Sequence, residues 1–251
     1  MIRIEGIEKR YGDFQALKKL DLHVRKGEVF GFLGPNGAGK TTLIRMLSGV
    51  LPPTSGRIWI DGIDLAKNPL QAKWKTGYIP DRPYLYEKLT AVELLAFVGG
   101  IYGLEESDSA KRGEALLREY GLWHVSNQLI EGFSHGMKQR LTFCASLLHT
   151  PPLVIVDEPM VGLDPRGARQ IKDVFRQIAS EGRTVFLSTH SLDVAQEVCD
   201  RLVILNHGGI VAQGSYSEIR SEAHPMANDL EEVFLRILEE ESEINSPEAG
   251  P

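Results

Sequence analysis

The chain has 251 residues, 42% of them hydrophobic and 25% charged, which is typical of a globular protein with a sizeable core and argues against disorder, collagen-like repeats and disulfide-built miniature domains. The net charge of −6 argues against a nucleic-acid partner. The acidic excess is confined to residues 216–251, which contain ten acidic residues and two arginines. Two cysteines imply a reducing compartment, and no apolar stretch approaches the roughly 20 residues of a membrane span.

The first 60 residues predict strands interrupted by one helix. Apolar residues follow a strand pattern in residues 2–7, 20–24 and 29–33. A glycine-rich loop then precedes a helical pattern formed by Leu43, Ile44, Met46 and Leu47. Proline, serine and glycine in residues 52–56 end that helix, and residues 57–60 predict another strand.

Helical spacing replaces the strand pattern from about Tyr84 to Pro151, which predicts a helical subdomain inserted into an α/β core. Two short apolar runs, at residues 153–156 and 184–187, flank an amphipathic helix at residues 165–180. This alternation predicts strands of a parallel sheet. Residues 201–213 predict two further strands about a turn at residues 207–209.

The C-terminal segment predicts one amphipathic helix. Its apolar residues recur at helical spacing with glutamates on the other face: Leu230, Val233, Phe234, Ile237 and Leu238. This helix either packs back on the core or binds a partner. Beyond about Glu241, the Glu, Ser and Pro content predicts disorder.

The loop after the third strand fits the phosphate-binding pattern G-x-x-x-x-G-K-[ST]. Its glycines let backbone N–H groups converge on phosphate oxygens at the start of a helix. Lys40 is expected to reach the β- and γ-phosphates, and the Thr41 hydroxyl to ligate Mg²⁺. The predicted nucleotide-binding residues are Gly34, Pro35, Asn36, Gly37, Ala38, Gly39, Lys40, Thr41 and Thr42.

An apolar strand at residues 153–156 ends in two carboxylates, Asp157 and Glu158. In a phosphate-binding-loop fold an aspartate at this place holds Mg²⁺. Glu158, one residue later in an extended chain, is expected to point to the opposite side and to act as general base toward an attacking water. A strand that merely runs into an acidic turn is the alternative.

Taken with three further segments, these motifs resemble the ATP-binding cassette (ABC) family of ATPase subunits over about residues 1–215. Residues 157–159 and 162–165, DEP and GLDP, are similar to the family's acidic strand end and D-loop. The segment FSHGMKQR at residues 133–140 resembles its signature, most often written LSGGQ-x-QR, and STH at residues 188–190 resembles its switch-histidine strand end.

The resemblance implies an α/β fold: a P-loop NTPase with a RecA-like parallel-sheet core, an N-terminal antiparallel β-subdomain and the inserted α-helical subdomain. It predicts an ABC ATPase domain at residues 1–215, with the helical subdomain at about 84–151, and an acidic C-terminal helix and tail at residues 216–251. In this family two domains sandwich two ATP molecules, each between one domain's phosphate-binding loop and the other's signature.

The same resemblance assigns roles to single residues. Tyr11 matches the aromatic residue that stacks on adenine, and His190 the residue that contacts the γ-phosphate and holds the water for Glu158. Asp164 matches the residue that contacts the partner's phosphate-binding loop, or it caps the following helix. The predicted phosphate contacts in the signature are Ser134, His135, Gly136 and Met137. Ser134 alternatively serves only as a helix cap.

Three residues depart from the family pattern. His135 replaces a glycine and Met137 a glutamine, so the imidazole either restricts close backbone approach or adds a donor near phosphate. Asp81 stands where the family's Q-loop has a glutamine that touches Mg²⁺, and it is retained as a metal-site residue; a simple turn is the alternative.

These observations predict an ATP- and Mg²⁺-dependent ATPase that powers a transporter, with export favoured. The expected partners are a separate integral membrane subunit, docked near residues 81–87, and a second ABC ATPase subunit, with the protein cytoplasmic and peripheral on the inner face of the membrane. A soluble cassette ATPase acting on ribosomes or DNA is the alternative. A P-loop small-molecule kinase is a third reading, disfavoured by the signature and by His190.

Overall fold

The structure, a computed structural model, describes residues 1–160, 165–223 and 229–244. Two sheets and a helical region make up the fold. One sheet is antiparallel, with strand order β2-β1-β4-β5. Its strands are β1 (Ile2–Tyr11), β2 (Phe14–Val24), β4 (Ser55–Ile60) and β5 (Ile63–Asp64). Residues Ile2 and Ile4 pair with Val24 and Leu22, and all four side chains are buried, which confirms the predicted strand pattern.

The second sheet has the order β10-β9-β3-β8-β7-β6. Its strands are β3 (Val29–Leu33), β6 (Thr76–Ile79), β7 (Leu153–Asp157), β8 (Thr184–Thr189), β9 (Arg201–Asn206) and β10 (Gly209–Gly214). All neighbouring pairs are parallel except β9 with β10. The predicted parallel core and antiparallel subdomain are therefore confirmed. The carboxyl ends of β3, β7 and β8 meet at one edge of this sheet, where parallel α/β proteins place their sites.

The helices cover both faces of the parallel sheet and form the insertion. They are α1 (Lys40–Leu47), α2 (Pro69–Trp74), α3 (Ala91–Ile101), α4 (Glu106–Glu119), α5 (His135–Leu147), α6 (Pro165–Ser180), α7 (Leu192–Val198), α8 (Tyr216–Ala223) and α9 (Leu230–Ile244). Residues 84–151 contain α3, α4, α5 and two short 3₁₀ turns but no strand, as predicted. Within the three described ranges, no helix combines the length and the apolar character that crossing a bilayer requires.

The C-terminal helix packs on the core, which is one of its two predicted arrangements. Leu230, Val233 and Ile237 of α9 are buried in a cluster with Leu33 of β3 and Ile204 of β9. The helix continues to Ile244, so the prediction of disorder from about residue 241 is wrong for residues 241–244, since the glutamates there are good helix formers. Residues 245–251 lie outside the described ranges, and the boundary at residue 215 stays a prediction.

Candidate active site

The loop between β3 and α1 depends on glycines at two places. A β-carbon on Gly34 would lie 2.4 Å from the carbonyl oxygen of Leu205, a backbone atom of β9. Gly39, the N-cap of α1, has φ 106°, and a β-carbon there would lie 2.7 Å from the carbonyl oxygen of Ala16. The loop thus runs against the backbone of two strands, which leaves no room for side chains at these two positions.

Lys40 is the buried cation of this loop. Its Nζ donates to the carbonyl oxygens of Gly34 at 2.6 Å and Pro35 at 3.2 Å, and lies 3.9 Å from Oε1 of Glu158. Burial lowers the pKa of the Lys40 ammonium, while the charges of Glu158 and Asp157 oppose that shift. The ammonium therefore lies between the phosphate-binding loop and the acidic end of β7.

Asp157, the last residue of β7, is 3% exposed. Its Oδ1 has no hydrogen-bond partner among the described residues, and burial raises the pKa of its carboxyl group. A buried carboxylate oxygen without a donor fits a divalent cation, which prefers oxygen ligands. The described residues hold no cluster of three or more His, Cys, Asp or Glu side chains, so such a cation would also need ligands from a bound phosphate.

Glu158 is not in an extended conformation, which corrects the sequence-based expectation. Its φ is +48°, in the left-handed region, and its backbone N–H donates to the carbonyl oxygen of Ser188 at 3.0 Å. Its Oε2 lies 2.8 Å from Nδ1 of His190 and accepts from the His190 backbone N–H at 3.3 Å. The turn after β7, and not strand alternation, directs this carboxylate toward His190.

A cleft of about 930 Å³ collects most of the predicted residues. From the phosphate-binding loop it is lined by Pro35, Asn36, Gly37, Gly39, Lys40, Thr41 and Thr42. Tyr11, Asp81, His135, Glu158 and His190 also line it. The cleft therefore brings together residues that lie far apart in the sequence.

Several predicted site residues are not part of the lining of this cleft. Of the four predicted signature residues only His135 lines the cleft, whereas Ser134, Gly136 and Met137 lie outside its lining. The Ser134 hydroxyl accepts from the Met137 backbone N–H at 3.3 Å and caps α5, which begins at His135. Asp164 lies outside the described residues.

Sequence reasoning missed other residues of the cleft wall. Phe14 is 67% exposed and lies beside Tyr11, which is 48% exposed, at the β1–β2 turn. An exposed aromatic pair around the Gly12–Asp13 turn was the available signal. Glu87 and Lys138 also line the cleft and form an ion pair, which no local pattern indicates because they lie 51 residues apart in the sequence.

Comparison with known proteins gives consistent matches. A family model described as ABC transporter matches residues 17–161. The linearmycin resistance ATP-binding protein LnrL of Bacillus subtilis is 40% identical over 221 residues, which cover 88% of this chain and 71% of that protein.

Two solved structures are similar to this chain along most of their length. One, described as the ATP-binding subunit of an ABC transporter, has a TM-score of 0.90 and 34% identity and covers 95% of this chain and 99% of its own. Another, a bacterial ABC transporter cassette solved as a dimer, has a TM-score of 0.79 and 25% identity and covers 86% of this chain and 98% of its own.

Proposed function

The chain belongs to the ABC transporter family, as an ATP-binding subunit that hydrolyses ATP, and from this we propose that it powers export through a separate integral membrane subunit. The observation that carries the proposed chemistry is the Glu158 carboxylate, held between His190 and Lys40 at the phosphate-binding loop. The resistance function in the name of the Bacillus subtilis relative supports export as the direction.

In the proposed site, the loop N–H groups and Lys40 bind the β- and γ-phosphates. Tyr11 stacks on the base, and Phe14 adds a second aromatic wall. The buried Oδ1 of Asp157 and the Thr41 hydroxyl would hold Mg²⁺, and Asp81, which lines the cleft, is retained as a further metal-site residue. When bound, Mg²⁺ supplies neutralisation of the charge on the phosphate oxygens.

Glu158 is the proposed general base. Its carboxylate takes a proton from the attacking water, and the 2.8 Å contact with His190 Nδ1 keeps it in place. The Lys40 ammonium lies 3.9 Å from the other carboxylate oxygen of Glu158 and so borders the same end of the site.

We propose that ATP joins two ATPase subunits, this chain with a second copy or a relative, so that the start of α5 in one subunit faces the phosphates bound by the other. The dimeric state of the 25% identical cassette supports this arrangement. The free N–H groups and positive dipole end of a helix N-terminus favour bound phosphate. The exposed His135 at the first position of α5 is suited to the same contact.

The membrane subunit is proposed to dock on an aromatic patch formed by Tyr84, Tyr86 and Phe97. These side chains are 81%, 62% and 46% exposed, and the rings of Tyr86 and Phe97 pack edge to face at 5.5 Å. Exposed aromatic clusters commonly mark protein interfaces. This docking places the protein on the cytoplasmic face of the membrane as a peripheral subunit.

The test of this function is co-purification with an integral membrane protein from detergent-solubilised membranes. Tyr86→Ser should reduce the recovered membrane subunit by about tenfold, because it removes a large exposed ring from the patch. Leu70→Ser is the matched control, since Leu70 is 72% exposed but belongs to α2, which precedes the amino end of β6, whereas Tyr84 and Tyr86 follow the carboxyl end of that strand. Equal recovery for both variants, or no membrane protein with the unaltered chain, would contradict the proposal.

A further inference from the structure

Two segments of the helical insertion, one before α3 and one after α4, form a short hydrogen-bonded ribbon, here called the clasp, made of residues 87–90 and 129–131. The backbone N–H groups of Ile130 and Glu131 donate to the carbonyl oxygens of Leu89 at 2.9 Å and Glu87 at 3.0 Å. Thr90 and Leu129 form an antiparallel bridge. The clasp therefore joins the chain that follows the aromatic patch to the chain that leads into α5.

An ion pair extends the clasp into α5. Lys138, one turn after the first residue of that helix, donates to Oε1 of Glu87 at 2.5 Å. The Lys138 side chain is only 19% exposed, whereas that of Glu87 is 55% exposed, and Glu87 is the one ion-pair partner of Lys138 among the described residues. The hydrogen bond from Lys138 lowers the pKa of the Glu87 carboxyl group, which stays ionised. Removal of Glu87 would leave a mostly buried ammonium without a counter-charge, a costly arrangement.

A second ion pair of the clasp provides an internal comparison. Lys88 and Glu131 also meet at 2.5 Å, but their side chains are 83% and 43% exposed. Water screens such a pair, and pairs of this kind contribute little. Neither residue lines the cleft, whereas Glu87, Lys138 and His135 all do.

We propose that the Glu87–Lys138 ion pair is a positioning element that fixes the start of α5 to residues 81–87. Through it, docking on the aromatic patch sets the place of Ser134 and His135 at the phosphates of the facing subunit. This inference rests on the proposed ATP-driven dimer.

The experiment measures the dimer dissociation constant in saturating ATP by analytical ultracentrifugation, in the Glu158→Gln background, where slow hydrolysis preserves the dimer. Glu87→Gln and Lys138→Met should each raise this constant by about tenfold. The double variant should be no weaker than either single variant, because the two residues act as a pair. The charge-reversed pair, Glu87→Lys with Lys138→Glu, should recover most of the loss. Lys88→Met should change the constant by less than about twofold.

The ATP affinity of the isolated subunit is measured alongside, with a fluorescent ATP analogue at low protein concentration. If reduced ATP affinity accounted for the whole increase in the dimer dissociation constant, the positioning role of the Glu87–Lys138 pair would be wrong. It would also be wrong if the charge-reversed pair failed to restore dimerisation in a folded protein. If the Glu158→Gln protein did not dimerise with ATP at all, the proposed dimer and the inference would both be wrong. Dimerisation of Glu87→Gln equal to that of its background would overturn the inference alone.

Discussion

Replacing glycines of the phosphate-binding loop by alanine separates backbone strain from steric conflict. Gly37 and Gly39 have φ values of 83° and 106°, which are unfavourable for an alanine by about 1–2 kcal/mol. A β-carbon on Gly37 would meet no atom within 4 Å. A β-carbon on Gly39 would lie 2.6 Å from Cδ2 of Leu17 and 2.7 Å from the carbonyl oxygen of Ala16, which belongs to a paired strand and cannot easily move.

The conflict at Gly39 should add about 1–3 kcal/mol, the usual cost of overpacking. Gly39→Ala is therefore expected to cost about 2–5 kcal/mol in total, and Gly37→Ala about 1–2 kcal/mol. Part of the larger cost should appear as weaker ATP binding, because the loop can relieve the conflict only by moving, and each 1.4 kcal/mol lost from binding weakens affinity about tenfold.

The assays are urea unfolding and calorimetric ATP binding on both variants and the parent. The summed losses of Gly39→Ala should exceed those of Gly37→Ala by at least about 1 kcal/mol. If the two variants lost the same free energy, the contact with the β2 backbone would not restrict this loop, and the steric reasoning would fail.

The remaining predictions concern the proposed base and a half-buried histidine. Glu158→Gln should lower multiple-turnover ATP hydrolysis by about 10²-fold or more, whereas Glu114→Gln, a surface control on α4, should hydrolyse at the parent rate; a parent rate in Glu158→Gln would exclude the base assignment. His149 stacks on Tyr102 with ring centroids 3.6 Å apart, and burial lowers its pKa from 6.5 to about 4. The pKa of His149 is lower in the folded protein than in the unfolded chain. The free energy of unfolding should therefore be highest above about pH 6.5 and should fall by about 1–2 kcal/mol, after allowance for partial exposure, as the pH decreases toward 4. Urea unfolding between pH 7.5 and 4.5 should show that His149→Phe removes this part of the pH dependence, and parallel curves for variant and parent would contradict it.

Local sequence patterns were sufficient to predict those strands and helices in which apolar residues recur at the spacing of the element itself. β3, the glycine loop and α1 follow one another within 20 residues, and each carries its own apolar pattern or fixed residue types. The carboxyl-terminal edge of the sheet, with Asp157, Glu158 and His190, followed from the parallel arrangement itself.

Features set by contacts between distant segments could not be predicted. No local pattern predicts α2, a six-residue helix in which Leu70 and Trp74 are exposed to solvent, because the helix has little apolar periodicity. The left-handed Glu158 depends on a hydrogen bond to β8, and the Glu87–Lys138 pair on the packing of α5. Neither leaves a local signal in the sequence.

The central place of β3 in the parallel sheet has a consequence for synthesis of the protein. Its neighbours are β8 and β9, so more than half of the chain must be made after β3 before either edge of this strand is paired. Until then the ribosome-bound chain exposes an apolar strand, and Gly34 lacks the Leu205 backbone against which its loop is formed. The phosphate-binding loop therefore acquires its supporting contacts late in synthesis, after β8 and β9 have been made.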